Sequence, residues 1–508
     1  MTPDAPTAAV SAPDPVTALD QRLGAAAAHL LHPAPAATAP RRPGQQAATL
    51  LPALVAAYQR TRDRESLWLL LAAVAGALPR EEDLRAAARY LELARGSRAE
   101  VRLLDIAFEL AADTHESCEM DVVTGTVLAD VDFCARRDFH TGIQRVVRET
   151  VPRWEESHEI LPVAWTDTYT CLRRLHAWEV PNVMAYRAGA GTAQRRADHG
   201  DTRLVLPLRS TIVLPEIPEP EASDCYAALS QWTSNRVVAI GYDMIPIVSA
   251  DLRPGFEATR FTRYLNAVKH ADRVAAISRS ATAEFTGFAQ ALVAQGLRGP
   301  VVSEVFLPAA PPDAHGETTG RPVASRPENA RPVIVCVGTH DPHKNHATTM
   351  HAAERLWREG LDFELVFIGG VGFMGPDHLC FQDAIRAGRP VRDLGRVSDE
   401  TMAAEIRRAD FSVFLSLHEG YGLPVAEALA CGTPVLTSNF GSLQEIAEGG
   451  GCVTVDPRDD DAATDAIRAL LTDRTRLGRL RDEIASRPAR TWDTYAEELW
   501  AVATEGSR

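Results

Sequence analysis

The chain has 508 residues, too many for a single hydrophobic core, and its 45% apolar and 24% charged content is ordinary for a globular protein. A net charge of −15 argues against binding nucleic acid or an anionic membrane through bulk electrostatics. Eight scattered cysteines without a C-x-x-C pair suggest neither a zinc ribbon nor a disulfide framework and fit a reducing cytoplasm.

The first residues lack a basic segment followed by an apolar one, so no signal peptide is expected. Residues 1–45 are rich in Ala and Pro and read as a flexible tail holding at most a short helix around Val16 to Leu31. Residues 46–117 show helical periodicity, punctuated by Pro79 and Gly96, and predict a module of three or four short antiparallel helices. Its apolar run Leu67 to Leu78 is too short for a bilayer, which needs about 20 residues. A small bundle packed on the rest of the chain or on a protein partner is the simpler reading of this module. A peripheral role at the inner face of the membrane is the lesser one, because no helix carries a dense basic face.

From residue 118 the pattern turns α/β. A strand over Thr126–Asp130 is followed by a helix starting in Thr141-Gly-Ile-Gln-Arg-Val-Val-Arg148. Strands are predicted at Ser210–Leu214, Arg236–Ile240 and through Ala271–Ser278, with helices at Arg260–His270 and from Ala281. Such alternation means a doubly wound parallel sheet with ligands at the carboxyl ends of its strands, where Asp243 and Ser278 fall. Asp130-Val131-Asp132 spells a metal-binding D-x-D string, but at the end of a first strand it reads as an ordinary loop.

Residues 308–332 are proline-rich and aperiodic, a linker. A second α/β unit, 333–485, opens with strand Val333–Val337, then Gly338-Thr339-His-Asp-Pro-His-Lys344-Asn345 and a helix from about His346 to Glu359. The His343–His346 cluster lacks carboxylate or thiolate neighbours at ligand spacing, so no metal is expected. Strand Glu364–Ile368 runs into Gly370-Val-Gly372-Phe-Met-Gly375, the string of a dinucleotide fingerprint. Pro376-Asp377 interrupts where that fingerprint needs a helix, so NAD is not expected. Asp459–Asp461 reads as a helix cap, and residues 486–508 as a final helix.

The most informative stretch is His418–Val435, HEGYGLPVAEALACGTPV. An apolar strand, Phe411–Leu415, precedes it. Gly420 and Gly422 bracket Tyr421 in a turn, and Leu423–Cys431 is a helix with Pro424 in its first turn. Strand, glycine turn and helix N-terminus form a site for an anion. Glu419 and Glu427, eight positions apart, frame it, and a carboxylate accepts paired hydroxyl hydrogen bonds. Sugar hydroxyls on the glutamates and a diphosphate on the N–H groups would describe a nucleotide sugar.

At these residues the chain resembles the retaining glycosyltransferases of family 4, which have the GT-B fold of two Rossmann-like lobes facing a cleft. The resemblance covers roughly residues 120 to 508. The TGIQRVVR segment is similar to one branch of that family, many of them polysaccharide mannosyltransferases. The resemblance implies that the second lobe binds the donor, GDP-mannose favoured, that the first binds a glycan acceptor, and that the last helix crosses back to the first lobe.

By the same resemblance Lys344 faces the diphosphate, Glu419 the hexose and Glu427 the ribose. Gly338, Thr339, Asn345, Gly420, Tyr421, Gly422 and Leu423 shape the donor site, and Val397 belongs to the edge that pairs with the base. Thr141, Gly142, Tyr242 and Ser278 face the cleft, Arg145 approaches the leaving phosphate, and Asp243 orients hydroxyls. Two departures stand out: Tyr242 replaces the family's histidine, and His343 replaces the arginine before the phosphate lysine. The expected activity is metal-independent hexosyl transfer without a cofactor, with donor binding surviving removal of residues 1–112. The alternatives are a nucleotide-sugar epimerase of the same fold, a non-catalytic scaffold using the helical module, and a metal-dependent GT-A enzyme using the D-x-D string.

Overall fold

A computed structural model describes residues 14–33, 42–111, 117–138, 141–186, 202–311, 330–373, 383–385 and 387–506. Most of the 308–332 stretch and the Gly375–Asp377 turn lie outside the described residues.

Two α/β lobes follow a helical module. Among the described residues the first lobe holds a nine-stranded sheet, in the spatial order Met120–Thr124, Leu204–Leu208, Leu172–Arg174, Ile160–Trp165, Val127–Asp130, Thr211–Leu214, Arg236–Gly241, Arg273–Ala276 and Val301–Glu304. Its neighbours pair in parallel except Leu172–Arg174, which runs antiparallel to both strands beside it. The second lobe holds six parallel strands, ordered Val391–Asp393, Glu364–Ile368, Val333–Val337, Phe411–Phe414, Val435–Ser438 and Cys452–Val455. Helices cover both faces of this sheet, so a central strand such as Val333–Val337 is buried at every position and reads as an unbroken apolar run. The doubly wound, two-lobed fold class is the one the sequence predicts.

Periodicity finds the central strands and misses the edge. Met120–Thr124, Ile160–Trp165, Leu172–Arg174 and Leu204–Leu208 extend the first sheet beyond the predicted strands. Leu172–Arg174 is three residues long, too short to register as a pattern.

The helical module differs more. The helix Pro15–Leu30 lies in the stretch that composition marks as a tail. Asp14 caps it, accepting from Val16 N and Thr17 N at 3.0 and 3.1 Å, and Leu23, Ala26 and Ala27 are buried. Buried Arg22 donates to Ala73 O at 2.9 Å and Cys118 O at 3.0 Å, while buried Asp20 accepts from Gly44 N and Ala47 N. The short helix expected around Val16 to Leu31 is thus present, but composition hides its burial because small Ala side chains form its contact face.

Four further helices, Gln45–Thr61, Arg64–Ala75, Glu81–Leu93 and Ser97–Leu110, complete the module among the described residues. Arg64–Ala75 is its centre, buried on nearly all sides and therefore apolar all round. The module is not a separate bundle. Leu23, Leu54 and Trp68 share one apolar core with Leu204, Leu206, Tyr226 and Leu229 of the first lobe. At the other end of the chain, Trp492–Thr504 also packs on that lobe. Trp492, Tyr495 and Leu499 join Val146, Val151 and Trp154, whose indole N–H donates to Ala496 O at 2.9 Å.

Candidate active site

The strand Phe411–Phe414 delivers the chain to Ser416 and then to Glu419, at the foot of the helix Leu423–Ala430. Gly422 is the residue before that helix and takes φ +105°, a conformation glycine adopts without penalty. In the first turn Val425 N and Ala426 N donate to Gly422 O at 2.9 and 3.2 Å, and Pro424 has no N–H to offer. Lys344 Nζ lies 2.6 Å from Glu419 Oε1, which also accepts from Ser416 Oγ at 2.6 Å. Burial alone would raise the Glu419 carboxyl, but Lys344, then His343 and Ser416, outweigh it and hold the group below the usual carboxylate range. The pair is thus ionised and nearly enclosed, with 15% of the lysine and 10% of the glutamate side chain exposed.

The first lobe closes onto this turn. Ser278 Oγ donates to Gly420 O at 2.6 Å, and a Cβ on Gly420 would stand 2.3 Å from Tyr242 O. A Cβ on Gly142 would meet Leu423 Cδ1 at 2.9 Å. His418 reaches into the first lobe, with Nδ1 2.8 Å from Ser249 Oγ and Nε2 2.6 Å from Glu284 Oε1. Burial disfavours its charge, yet Glu284, then Asp243 and Glu419, raise the imidazole above its ordinary value. Asp243 follows strand Arg236–Gly241 and accepts from Ile245 N at 3.1 Å. Burial first, then Glu284 and Glu419, push its carboxyl up to about 6. It sits at the sheet's carboxyl edge, where doubly wound folds hold their ligands.

Arg145 projects from the helix Gly142–Ser157 onto Glu427, forming a buried ion pair between the lobes, and its other nitrogen donates to Pro311 O at 3.1 Å. Burial pushes Glu427 up to about 7, against the pull of Arg145.

Several predicted residues are engaged otherwise than expected. The Tyr242 ring points into the first-lobe core and donates to Pro215 O at 2.7 Å, so only its backbone meets the cleft. Ser278 is spent on the lobe contact and on capping the helix Arg279–Leu292. Asn345 takes φ +55° and donates to Pro457 O at 2.9 Å, which holds the loop rather than facing the glycine turn. Thr339 donates to Asp341 at 2.5 Å, Thr141 donates to Gln144, and Tyr421 donates to Leu307 O at 2.8 Å. Gly338, at φ +152°, opens the Lys344 loop, and Val397 is half-buried on the sheet's outer side. The D-x-D string is consumed internally: Asp130 accepts from Trp165 Nε1 and Tyr226 OH at 2.9 and 2.7 Å, and Asp132 pairs with Arg136 at 2.7 Å. No group of three metal-ligating side chains occurs among the described residues.

Sequence reasoning misses four residues of this cluster: Ser249, Arg253, Glu284 and His418. The first three lie outside any motif, and they reach the site only because the lobes close. His418 stands inside the motif, where its neighbours carry the stronger signal.

Residues 322–487 match the family described as glycosyl transferases group 1. The serotype-specific mannosyltransferase WbdA of Escherichia coli is 26% identical over 366 residues, 69% of this chain and 42% of that protein. The MMP alpha-(1->4)-mannosyltransferase of Mycolicibacterium hassiacum is 32% identical over 174 residues, 33% of this chain and 42% of that protein. The chain thus spans less than half the length of these relatives. Among solved structures, sucrose-phosphate synthase from Thermosynechococcus elongatus superposes with a TM-score of 0.50 at 16% identity, over 75% of this chain and 98% of that one. Anabaena Alr3699/HepE in complex with UDP gives 0.50 at 14% identity, over 75% and 100%. At such identities the likeness concerns fold alone. The chain has the GT-B architecture, and its second lobe carries a glycosyl transferases group 1 domain.

Proposed function

We propose that this protein is a retaining glycosyltransferase that moves a hexose from a nucleoside diphosphate to a glycan or lipid-linked acceptor, with mannose as the sugar and GDP-mannose as the donor. The observation that carries the reading is the Lys344–Glu419 pair at the foot of the helix Leu423–Ala430, against the carboxyl edge of the first sheet. A cation and a helix N-terminus suit a diphosphate, and a carboxylate beside them suits sugar hydroxyls. The mannosyltransferase relatives support the choice of sugar, and the UDP-bound neighbour supports a nucleoside diphosphate as the class of ligand.

On this reading the donor exchanges partners with the pair. The diphosphate takes Lys344, and the hexose hydroxyls take Glu419. As the glycosidic bond breaks, negative charge grows on the diphosphate and oxocarbenium character on the sugar. Lys344 and the helix N-terminus stabilise the former without reorganising. The acceptor hydroxyl attacks from the face of departure, and the leaving phosphate takes its proton. Asp243 orients hydroxyls at the reacting centre, and Glu427 holds the ribose once the donor is seated.

A thermal-shift panel of GDP, UDP, ADP and dTDP with their sugars tests the reading. A true donor at one hundred times its Kd raises stability by about 2.7 kcal/mol. Mannosyl transfer from GDP-mannose that survives EDTA is the expected result. A protein indifferent to every nucleotide sugar would sink the reading, and activity restored only by Mn²⁺ would replace its mechanism.

A further inference from the structure

Arg253 belongs to the first lobe, two residues before the helix Gly255–His270, but its side chain leaves that lobe. Nη1 lies 3.3 Å from His343 Nδ1 and 3.5 Å from Asp341 Oδ2, both in the second-lobe loop that carries Lys344. Glu257, one turn along the helix, clamps the guanidinium through Nε at 2.7 Å and Nη2 at 2.8 Å. The fork is therefore fixed in place before any ligand arrives.

A guanidinium has five N–H groups. Among the described residues Glu257 takes two and His343 one, which leaves two without a hydrogen bond. Asp341 accepts from Thr339 Oγ1 at 2.5 Å and from Phe373 N at 2.8 Å, and it meets the guanidinium as an ion pair only. An arginine that served only to tie the lobes together would close on that carboxylate, whereas this one stops at 3.5 Å as an ion pair without a hydrogen bond. The neighbouring imidazole supplies no charge of its own. Burial first, and then Lys344, push His343 down to about 4, so it is neutral near pH 7.

We propose that Arg253 is a donor-site residue, a cation that the first lobe places beside Lys344 and whose two remaining N–H groups contact the donor's diphosphate. This rests on the reading above that the Lys344 loop binds a diphosphate. The open protein then offers the diphosphate one cation and the closed protein two. Charge on the leaving group draws the lobes together, and the second cation is in place when that charge grows.

The test uses the full chain with Arg253→Gln and Arg253→Lys, titrated calorimetrically with GDP and with UDP at several salt concentrations, alongside turnover of the matching donor. Arg253→Gln should weaken the diphosphate about tenfold and lower kcat/KM about 10²-fold. The salt dependence of affinity should become shallower, because one charge contact is gone. Arg253→Lys should restore part of the affinity and the steeper salt dependence. If the wild type binds a diphosphate and Arg253→Gln binds it equally well, the proposal falls and the function stands. The proposal also falls, and the function again stands, if affinity is lost with an unchanged salt dependence or if lysine rescues nothing. If the wild type binds neither diphosphate, the functional reading and this proposal fall together.

Discussion

The guanidinium of Arg145 and the carboxylate of Glu427 meet as a buried ion pair between the two lobes, 282 residues apart in the sequence. Each side chain is 8% exposed. The pair ties the helix after the first central strand to the helix that heads the candidate site. The carboxylate assigned to the ribose is thus already held from the opposite lobe.

Breaking one side of a buried pair strands the other charge. Arg145→Leu should cost about 3–5 kcal/mol of stability, and Arg145→Leu with Glu427→Leu should recover much of it. Thermal midpoints of the two variants check this. A double variant as unstable as the single one would mean that the two residues do not act as a unit.

Stability should fall as the solution passes from near neutral to mildly alkaline. Glu216, buried just after strand Thr211–Leu214, accepts from Phe133 N and Cys134 N at 2.8 and 2.9 Å. Burial raises the carboxyls of Asp243, Glu427 and Glu216 to about 6, 7 and 8. These groups bind their protons more tightly in the fold than in the unfolded chain. Their contribution is complete below the ordinary carboxylate range and is lost as pH rises through 6 to 8. Burial pushes His343 and His346 down to about 4, so their contribution is present above 6.5 and is lost as pH falls toward 4. Above pH 6.5 the histidine contribution is complete while Glu427 and Glu216 are still losing theirs, so the thermal midpoint should fall as pH rises from about 6.5 to 8, and Glu216→Gln should flatten that fall. A midpoint that climbs steadily from pH 6 to 8.5 would contradict the assignment.

Lys344, Glu419 and Glu427 should separate by ligand. Lys344→Ala removes a cation from a growing charge and should lower turnover by about 10²- to 10³-fold, more than it weakens donor binding. Glu419→Gln should spare free GDP and penalise GDP-mannose. Glu427→Gln should weaken both by similar factors. Calorimetric titration of each variant with both ligands decides, and equal losses for the two ligands in Glu419→Gln would remove its role as sugar reader.

Gly420 and Gly142 both lie where the lobes touch, yet alanine should act differently at the two. At Gly420 the new methyl meets the Tyr242 carbonyl, which is backbone, and the lobes must part. A displacement of about 1 Å at a reacting centre costs about 10²-fold in rate. At Gly142 it meets the tip of Leu423, a side chain that can turn aside. Activity of the two variants, with unchanged circular dichroism, checks the contrast, and equal losses would show that backbone contact is not the deciding feature.

The central strands of both lobes are legible in the sequence because each is an apolar run several residues long with helical periodicity on either side. The Lys344 loop and the glycine turn are legible because their chemistry is concentrated in contiguous residues. What stays hidden is what closure creates. Arg253, Glu284 and Ser249 look like ordinary polar residues until His343 and His418 arrive from the other lobe. Tyr242 departs from its expected place because a strand end exposes its backbone to the cleft while its side chain can still turn inward. The helical module looks separable in the sequence because periodicity reports which face is apolar and not what covers it.

That shared core changes one expectation directly. A chain lacking residues 1–112 would open the apolar core that Leu204, Leu206, Tyr226 and Leu229 of the first lobe share with Leu54 and Trp68. Such a chain should aggregate, as light scattering would show, rather than bind donor. A soluble truncated protein with native donor affinity would restore the view of the module as an independent attachment.

Both described ends of the chain, from Asp14 and to Gly506, are rooted in the first lobe, through the helices Pro15–Leu30 and Trp492–Thr504. The second lobe is thus an insertion held by two covalent passes, one through 308–332 and one through 486–491. An insertion can be exchanged as a cassette. Grafting residues 330–487 of this chain into a related host should carry donor preference with it, provided that the host surface accommodates Gly420 and supplies a cation for Glu427. A graft of the first lobe has no such freedom, because its core is assembled from segments that precede and follow the second lobe.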